Sequence, residues 1–198
     1  MNRIISLFHK CPSGLFAVLL TLTLLTAPSF LNTAHAATAR EINVSVSVAM
    51  DRFKAEVPGA HEFLANAKGV LVFPNVIRVG FGLGGEYGEG ALLVDGKTVD
   101  YYSLASGSIG FQIGAQSKNV VIIFMEKNSL NHFRDSLGWR AGVDGSIVLV
   151  DTGAGASVDS DNVRPPIVGF VYGLKGLMAN LSLEGTKFTK LVKEQTAD

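Results

Sequence analysis

Residues 68–90 read KGVLVFPNVIRVGFGLGGEYGEG and combine a plain apolar strand with a strand that carries side chains on one face only. The first apolar run, residues 70–73, is stopped by Pro74, and the chain restarts at Val76. Beyond it, apolar residues alternate with glycines: Val79, Gly80, Phe81, Gly82, Leu83 and Gly84. Strand side chains alternate between faces, so the glycines form one bare face. Because glycine weakens a strand, this pattern indicates sharp coiling, or close approach by another backbone or a ligand.

The first 36 residues have the pattern of a secretory signal peptide. Arg3 and Lys10 supply positive charge, residues 14–25 (GLFAVLLTLTLL) form an apolar run, and residues 34–36 (AHA) fit an A-x-A cleavage site. The apolar run is shorter than the roughly 20 residues that a transmembrane helix needs. We therefore expect cleavage after Ala36 and a periplasmic mature protein, with an uncleaved membrane anchor as the alternative.

Composition limits the classes of function that the remaining 162 residues can have. They contain 15 basic and 17 acidic residues, a net charge of −2, which is not typical of a nucleic-acid-binding protein. The single cysteine, Cys11, lies in the signal segment, so we expect neither thiol catalysis nor thiolate metal sites. Only His61 and His132 remain, which argues against a histidine metal site. No cofactor is predicted.

The segment that follows the signal predicts two helices, a helical leader over residues 37–67. Apolar residues recur at three- and four-residue steps: Ile42, Val46, Ala49, Phe53 and Val57. Pro58 and Gly59 end this helix, and residues 61–67 form a short second one. Such a helix could lie on a membrane, but its polar face mixes both signs of charge, which favours packing on a sheet.

Residues 68–198 read as a β domain with one inserted helix. The Asp95-Gly96 pair predicts a hairpin turn, residues 106–115 alternate like the first glycine strand, and residues 120–125 form an apolar central strand. Asn128 is a predicted cap for a helix that carries Leu130, Phe133 and Leu137. Further strands are expected over 140–150, with a turn at Asp144-Gly145, and over 167–174 and 177–183. A terminal helical turn is expected over residues 187–192.

These elements predict an α+β fold that is mostly β. We expect a curved antiparallel sheet or partial barrel of about eight short strands. N-terminal helices, the inserted helix and a short C-terminal helix complete the prediction. Residues 37–198 show no internal linker, so we expect one domain after the signal peptide of residues 1–36.

Three motifs suggest chemistry that their context does not support. Gly80, Gly82 and Gly85 match a dinucleotide fingerprint as letters, but no helix opens after them, as that site requires. The loop over residues 159–162 (DSDN) lacks the ligand spacing of a known calcium loop. Glu86 and Glu89 lie close together, with no third group to give them an acid–base role.

Residues 148–154 (VLVDTGA) resemble the signature of aspartic proteases, with Asp151-Thr152-Gly153 at its centre. That chemistry needs two aspartates that share one proton, and this chain has one such motif. Catalysis would therefore require a dimer, and we keep this interpretation as a remote alternative.

Several short motifs together resemble the SYLF domain family. They occur in order over about residues 51–192: Lys68-Gly69, Phe73-Pro74, Gly80-Phe81-Gly82, 85–90, 108–114 (SIGFQIG), Lys175-Gly176-Leu177 and 181–185 (LSLEG). The resemblance implies a lipid-binding domain of the kind found in bacterial exported proteins and in eukaryotic membrane-trafficking and actin-patch proteins. Actin is not an expected partner for a bacterial exported member.

We therefore hypothesise a periplasmic, non-enzymatic domain that binds an anionic lipid, with phosphoinositide-like headgroups included, or a membrane surface. From the residues themselves, Lys68, Arg78 and Lys175 are the candidate contacts with anionic headgroups, while exposed apolar side chains enter the interface. The alternative is a structural or protein-interaction module of the cell envelope that packs its glycine face on a partner. No catalytic or metal site is predicted.

Overall fold

A computed structural model describes residues 37–151, 165–176 and 182–193, which form three helices and six strands. The helices are α1 (Ala39–Glu56), α2 (Ala60–Asn66) and α3 (Lys127–Asp135). The strands are β1 (Gly69–Val94), β2 (Lys97–Phe124), β3 (Gly138–Arg140), β4 (Val148–Asp151), β5 (Ile167–Gly176) and β6 (Lys187–Leu191). The predicted signal peptide, the loop with residues 159–162 and most of the strand predicted over 177–183 lie outside the described residues.

The sheet is organised around β2, which pairs antiparallel with β1, β5 and β6. Strand β3 extends the sheet beyond β6, and β4 adds to β5 in parallel. Register shifts interrupt the pairing of β1 with β2 between Phe73 and Val76 and between Phe81 and Leu83. The two long strands therefore bend, and the result is a curved half-barrel of eight strand segments. The predicted α+β, mostly β fold is confirmed, with long bent strands replacing several of the short ones.

The predicted hairpin turn between β1 and β2 is also confirmed. Asp95 has φ 50° and Gly96 has φ 75°, the left-handed pair that a tight two-residue turn requires. Val94 then pairs with Lys97 directly across the turn. This hairpin fixes the register from which the whole β1–β2 pairing extends.

Helix α1 packs one apolar face on the outer side of the sheet, as its spacing predicts. Its N-terminus is fixed by a capping box in which Thr38 and Glu41 exchange hydrogen bonds between side chain and backbone. The Tyr172 hydroxyl on β5 donates to the Ala49 carbonyl of the helix. Gly59, with φ 76°, separates α1 from α2. No helix in the described part of the chain is long and apolar enough to cross a membrane.

The buried side chains form two clusters, one on each face of the sheet. The outer cluster lies under α1 and includes Phe53, Val72 and Phe170. The inner cluster lies in the concave side under α3 and includes Phe73, Phe124 and Phe133. The residues that β1 and β2 contribute to these clusters lie near the two ends of each strand. The middle of the hairpin, where it bends, therefore lies outside the core.

The C-terminal helix predicted over residues 187–192 is wrong. Lys187–Leu191 is strand β6, paired with β2 and β3, and its Phe188 side chain is buried in the inner cluster. Two further details also differ. Glu126, not Asn128, is the N-cap of α3, and Leu137 is exposed beyond the end of that helix. The turn expected within residues 140–150 is present, but it lies at residues 142–144 and separates β3 from β4.

Candidate functional site

The outer face of β1 carries large apolar side chains that remain in water. The exposed fractions are 55% for Ile77, 54% for Val79, 71% for Leu83 and 53% for Tyr87. We give the name outer ribbon to the outward face of the hairpin over residues 77–87 of β1 and residues 105–117 of β2. Soluble monomers rarely leave a contiguous row of such side chains uncovered, and such rows mark contact surfaces.

The β2 half of the outer ribbon adds no charge at the described pairs. These pairs are Ile77 with Ser117, Val79 with Ala115 and Tyr87 with Ala105. Directly opposed residues in neighbouring strands point to the same side of the sheet. The outward side chains of these three pairs are therefore apolar or small. Their only polar groups are the hydroxyls of Tyr87 and Ser117.

The inner face of the same hairpin is polar and closely packed. Glu86, Gln116 and Lys118 are buried, and Arg78 is half-buried. A Cβ on Gly88 would come 2.9 Å from the Val76 side chain, which leaves no room for a larger residue there. The polarity of the hairpin is thus the reverse of the polarity of a soluble protein, with charge inside and apolar side chains outside.

A buried ion pair on this inner face connects β1 to β2 across the bend of the hairpin. Lys118 Nζ lies 3.0 Å from Glu86 Oε1, and the two side chains are only 2% and 4% exposed. Oε1 has the distance of an ion pair but not the alignment of a hydrogen bond. Desolvation of two charges is costly, and removal of either partner would leave the other as a buried charge without its counter-charge.

Basic side chains flank the outer ribbon at both ends, on the neighbouring strands. Lys175 on β5 pairs with Ser117. At the other end, Lys187 on β6 pairs with Ala105 and also with Arg140 on β3. All three basic residues are exposed. Positive charge is therefore available on both sides of an uncharged apolar surface.

The structure places the three predicted headgroup contacts in three different surroundings. Lys68 precedes β1 and lines a groove of about 660 Å³ between α1, α2 and the β1–β2 turn. Arg78 lies ten residues further along, roughly 30 Å at about 3.3 Å per strand residue, and pairs with Gln116 on the inner face. Lys175 alone of the three lies beside the outer ribbon. Their role in lipid binding stays a prediction.

Sequence reasoning missed two parts of this site. The sequence predicts a helical turn at Lys187, although the alternation of Lys187, Phe188 and Thr189 is also compatible with a strand. The pairing of Glu86 with Lys118 has no local signal, because the two residues are far apart in sequence. The alternation of side chains along each strand could have placed both Glu86 and Lys118 on the inner face. Only the bend of the hairpin brings the two side chains together.

Tyr87 connects the outer ribbon to the N-terminal end of the described chain. Its hydroxyl donates to Glu89 Oε1 at 2.8 Å. Partial desolvation of the hydroxyl, together with its hydrogen bond to Glu89, raises the pKa of Tyr87 to about 12. Lys193 Nζ lies 3.0 Å from Glu89 Oε2 and donates to the Ala37 carbonyl at 2.7 Å. Glu89 thus accepts a hydrogen bond from Tyr87 and forms an ion pair with Lys193, while Glu86 forms an ion pair with Lys118.

The remaining motifs have the following positions. The segment after Gly85 continues as strand β1 without opening a helix, so the geometry of a dinucleotide site is not formed there. Asp151 ends β4, and Thr152 and Gly153 lie outside the described residues. The part of the chain that the structure describes contains no group of three or more histidine, cysteine, aspartate or glutamate side chains that could hold a metal ion.

Comparison with known proteins supports the sequence resemblance. A family model described as "Ysc84: Las17-binding protein actin regulator" matches residues 105–197. No curated protein matches the chain. The matched part contains β2 from residue 105 onward, helix α3 and strands β3 to β6. The similarity to the SYLF family, which the Ysc84 model represents, is therefore confirmed, and residues 105–197 of this chain carry a SYLF-type domain match.

Proposed function

We propose that this protein is an exported, non-enzymatic domain of the cell envelope that binds a membrane surface through its outer ribbon. The observation that carries the proposal is the reversed polarity of the β1–β2 hairpin. Exposed apolar side chains at Ile77, Val79 and Leu83 favour a contact that removes them from water, and each Å² removed contributes about 25 cal/mol.

The flanking charges favour a lipid interface with anionic headgroups. A lysine near an anionic surface contributes about 1 kcal/mol, and Lys175 and Lys187 lie at opposite ends of the ribbon. Tyr87 suits the same interface, because tyrosine places an apolar ring and a polar hydroxyl at the boundary between lipid and water. The similarity to the SYLF family and the signal-like pattern of residues 1–36 support the lipid-binding and export parts of the proposal.

A vesicle sedimentation assay with matched variants tests this proposal. The ribbon variant Ile77→Thr/Val79→Thr replaces two exposed apolar residues by residues that are favourable in strands. The control Val44→Thr/Val48→Thr likewise replaces two β-branched apolar residues by threonine, at comparably exposed positions of α1. We expect the ribbon variant to bind anionic vesicles about tenfold more weakly, a loss of about 1.4 kcal/mol, while the control binds like the wild type.

The contrary outcomes point to other functions. Equal weakening by both variants, or negligible pelleting of the wild type with anionic and neutral vesicles alike, would count against a membrane contact at the ribbon. Capture of an envelope protein that the ribbon variant loses, without any dependence on lipid, would favour the interaction-module alternative. Casein cleavage at acid pH that disappears in Asp151→Asn would overturn the non-enzymatic part of the proposal.

A further inference from the structure

The bent hairpin consists of two arms that face each other across the inner face. In the first arm, residues 76–81 of β1 pair with 113–118 of β2, and in the second arm residues 83–94 pair with 97–109. Between the arms, residues 110–112 of β2 stand opposite residue 82 of β1. The extra residues on one strand force the ribbon to bend, as in a β-bulge.

Two kinds of contact hold the arms together. Near the core, glycines allow the backbones to touch, since a Cβ on Gly88 would come 3.3 Å from the Val76 Cα and a Cβ on Gly90 would come 2.0 Å from the Val72 oxygen. Closer to the bend, the contact is the ion pair of Glu86 in the second arm with Lys118 in the first. Towards the bend itself, the inner positions Gly84 and Gly80 carry no side chain.

We propose that the Glu86–Lys118 ion pair is a positioning pair, which fixes the angle between the two arms and thereby the shape of the outer ribbon. The predicted effect of this pair on vesicle binding rests on the proposed function. The outer ribbon can contact a flat membrane in one defined way only if the angle between the arms is fixed. Neither residue reaches the outer face, so neither contacts lipid. Loss of one partner leaves a buried charge without compensation, and water must then enter between the arms.

The experiment combines amide hydrogen exchange with vesicle binding on the full-length protein. Glu86→Gln leaves the Lys118 ammonium without its carboxylate, whereas the double variant Glu86→Leu/Lys118→Met replaces the pair by apolar side chains of similar volume, which buried sites often tolerate. In Glu86→Gln we expect at least tenfold faster exchange in residues 76–81 and 113–118. Residues 70–73 and 120–124 in the core should keep their protection.

Vesicle affinity distinguishes a positioning role from a purely structural one. Glu86→Gln should bind anionic vesicles at least fivefold more weakly while its core stays folded, and the double variant should recover both slow exchange and affinity. Wild-type exchange and affinity in Glu86→Gln would overturn the proposal, and so would a uniform loss of protection that the double variant does not repair. If Glu86→Gln does not fold, the double variant decides, because weak binding by its folded form contradicts the role of the pair.

The two proposals can fail separately. Wild-type protein that ignores vesicles refutes the membrane contact, and in that case the exchange of residues 76–81 and 113–118 alone decides whether the ion pair holds the arms. Normal vesicle binding by all variants refutes the positioning pair and leaves the membrane contact intact.

Discussion

Gly90 and Val72, two residues of the same strand, lie in direct backbone contact. A Cβ on Gly90 would stand 2.0 Å from the carbonyl oxygen of Val72 and 2.7 Å from the Phe73 ring. The sequence pattern predicts such a close approach somewhere along the glycine face, and here the approaching backbone belongs to β1 itself. Gly90 is therefore required by the space between the two arms, not by a turn.

Gly90→Ala should destabilise the domain strongly. The methyl group meets backbone, which cannot rotate away, so we expect a loss of about 3 kcal/mol or more in the free energy of unfolding, measured by urea denaturation. Gly85→Ala is the matched control on the same strand, since its Cβ would meet no atom within 4 Å. A Gly90→Ala protein within about 0.5 kcal/mol of the wild type would contradict the packing of the arms.

The basic residues that flank the ribbon should govern the dependence of vesicle binding on salt. Lys175→Gln/Lys187→Gln removes one charge from each end, and we expect anionic-vesicle affinity to fall about thirtyfold at low salt, from about 1 kcal/mol per lysine. The remaining binding should respond less to added salt. Sedimentation at two ionic strengths measures both effects.

Two comparisons make the lysine experiment specific. Lys97→Gln/Lys127→Gln removes two exposed lysines away from the ribbon and should change affinity little. Lys68→Gln separates the sequence-based prediction from the structural one. A loss as large as that of Lys175→Gln would assign headgroup contact to the groove beside α1, whereas a small loss fits a contact confined to the ribbon.

Alkaline pH should unfold the domain through two buried tyrosines. Burial raises the pKa of Tyr102 and of Tyr172 to about 12, above the ordinary value of 10.0. Between pH 10 and 12 the unfolded chain loses these phenolic protons while the folded state keeps them. The contribution of the buried tyrosines to stability is therefore complete below pH 10 and decreases as the pH rises towards 12. Each tyrosine should cost about 1.4 kcal/mol of stability per pH unit in that window.

Tyr172→Phe checks the alkaline prediction. At pH 8 the variant should be about 1 kcal/mol less stable, because the hydrogen bond to the Ala49 carbonyl is lost. Between pH 10 and 12 its stability should fall less steeply than that of the wild type, since one titrating group is gone. Urea denaturation at a series of pH values gives both slopes, and parallel slopes would show that Tyr172 does not titrate as expected.

The capping box should contribute to the attachment of helix α1. Thr38→Ala removes the side-chain acceptor for the Glu41 amide and should cost about 1 kcal/mol in the free energy of unfolding. Ser47→Ala, on the exposed face of the same helix, should be neutral or slightly stabilising because alanine has the higher helix propensity. Equal effects of the two substitutions would exclude a role for the cap.

Local patterns in the sequence were sufficient for the elements that local physics determines. The spacing of apolar residues from Ile42 to Phe53 predicted α1 and its buried face. The Asp95-Gly96 pair predicted the hairpin turn, and in both cases the signal lies within a short stretch of sequence. The helix expected at residues 187–192 failed because β6 is specified by its pairing with Tyr101–Ala105 of β2. A five-residue strand stabilised by such a distant partner has little signal of its own.

The candidate site was predictable only in part for the same reason. Strand alternation correctly gave the apolar and bare faces around Val79, but it could not say which face points outward. That choice depends on the bend, which brings Glu86 to Lys118 and places Gly88 and Gly90 against Val76 and Val72. Basic residues spaced along the chain, such as Lys68 and Arg78, therefore gave no indication of which of them share a surface.

The central place of β2 has a consequence for where the protein can be divided. The family similarity starts at residue 105, which is the last of the β2 residues that pair with β6; the others, residues 101–104, precede it. A fragment cut at that boundary would lack α1, α2, β1 and residues 97–104 of β2, and it would expose the apolar side chains of Val121 and Ile123. We therefore expect a fragment that folds unaided to extend well beyond the N-terminal end of the matched region, and a fragment trimmed to residues 105–197 to aggregate.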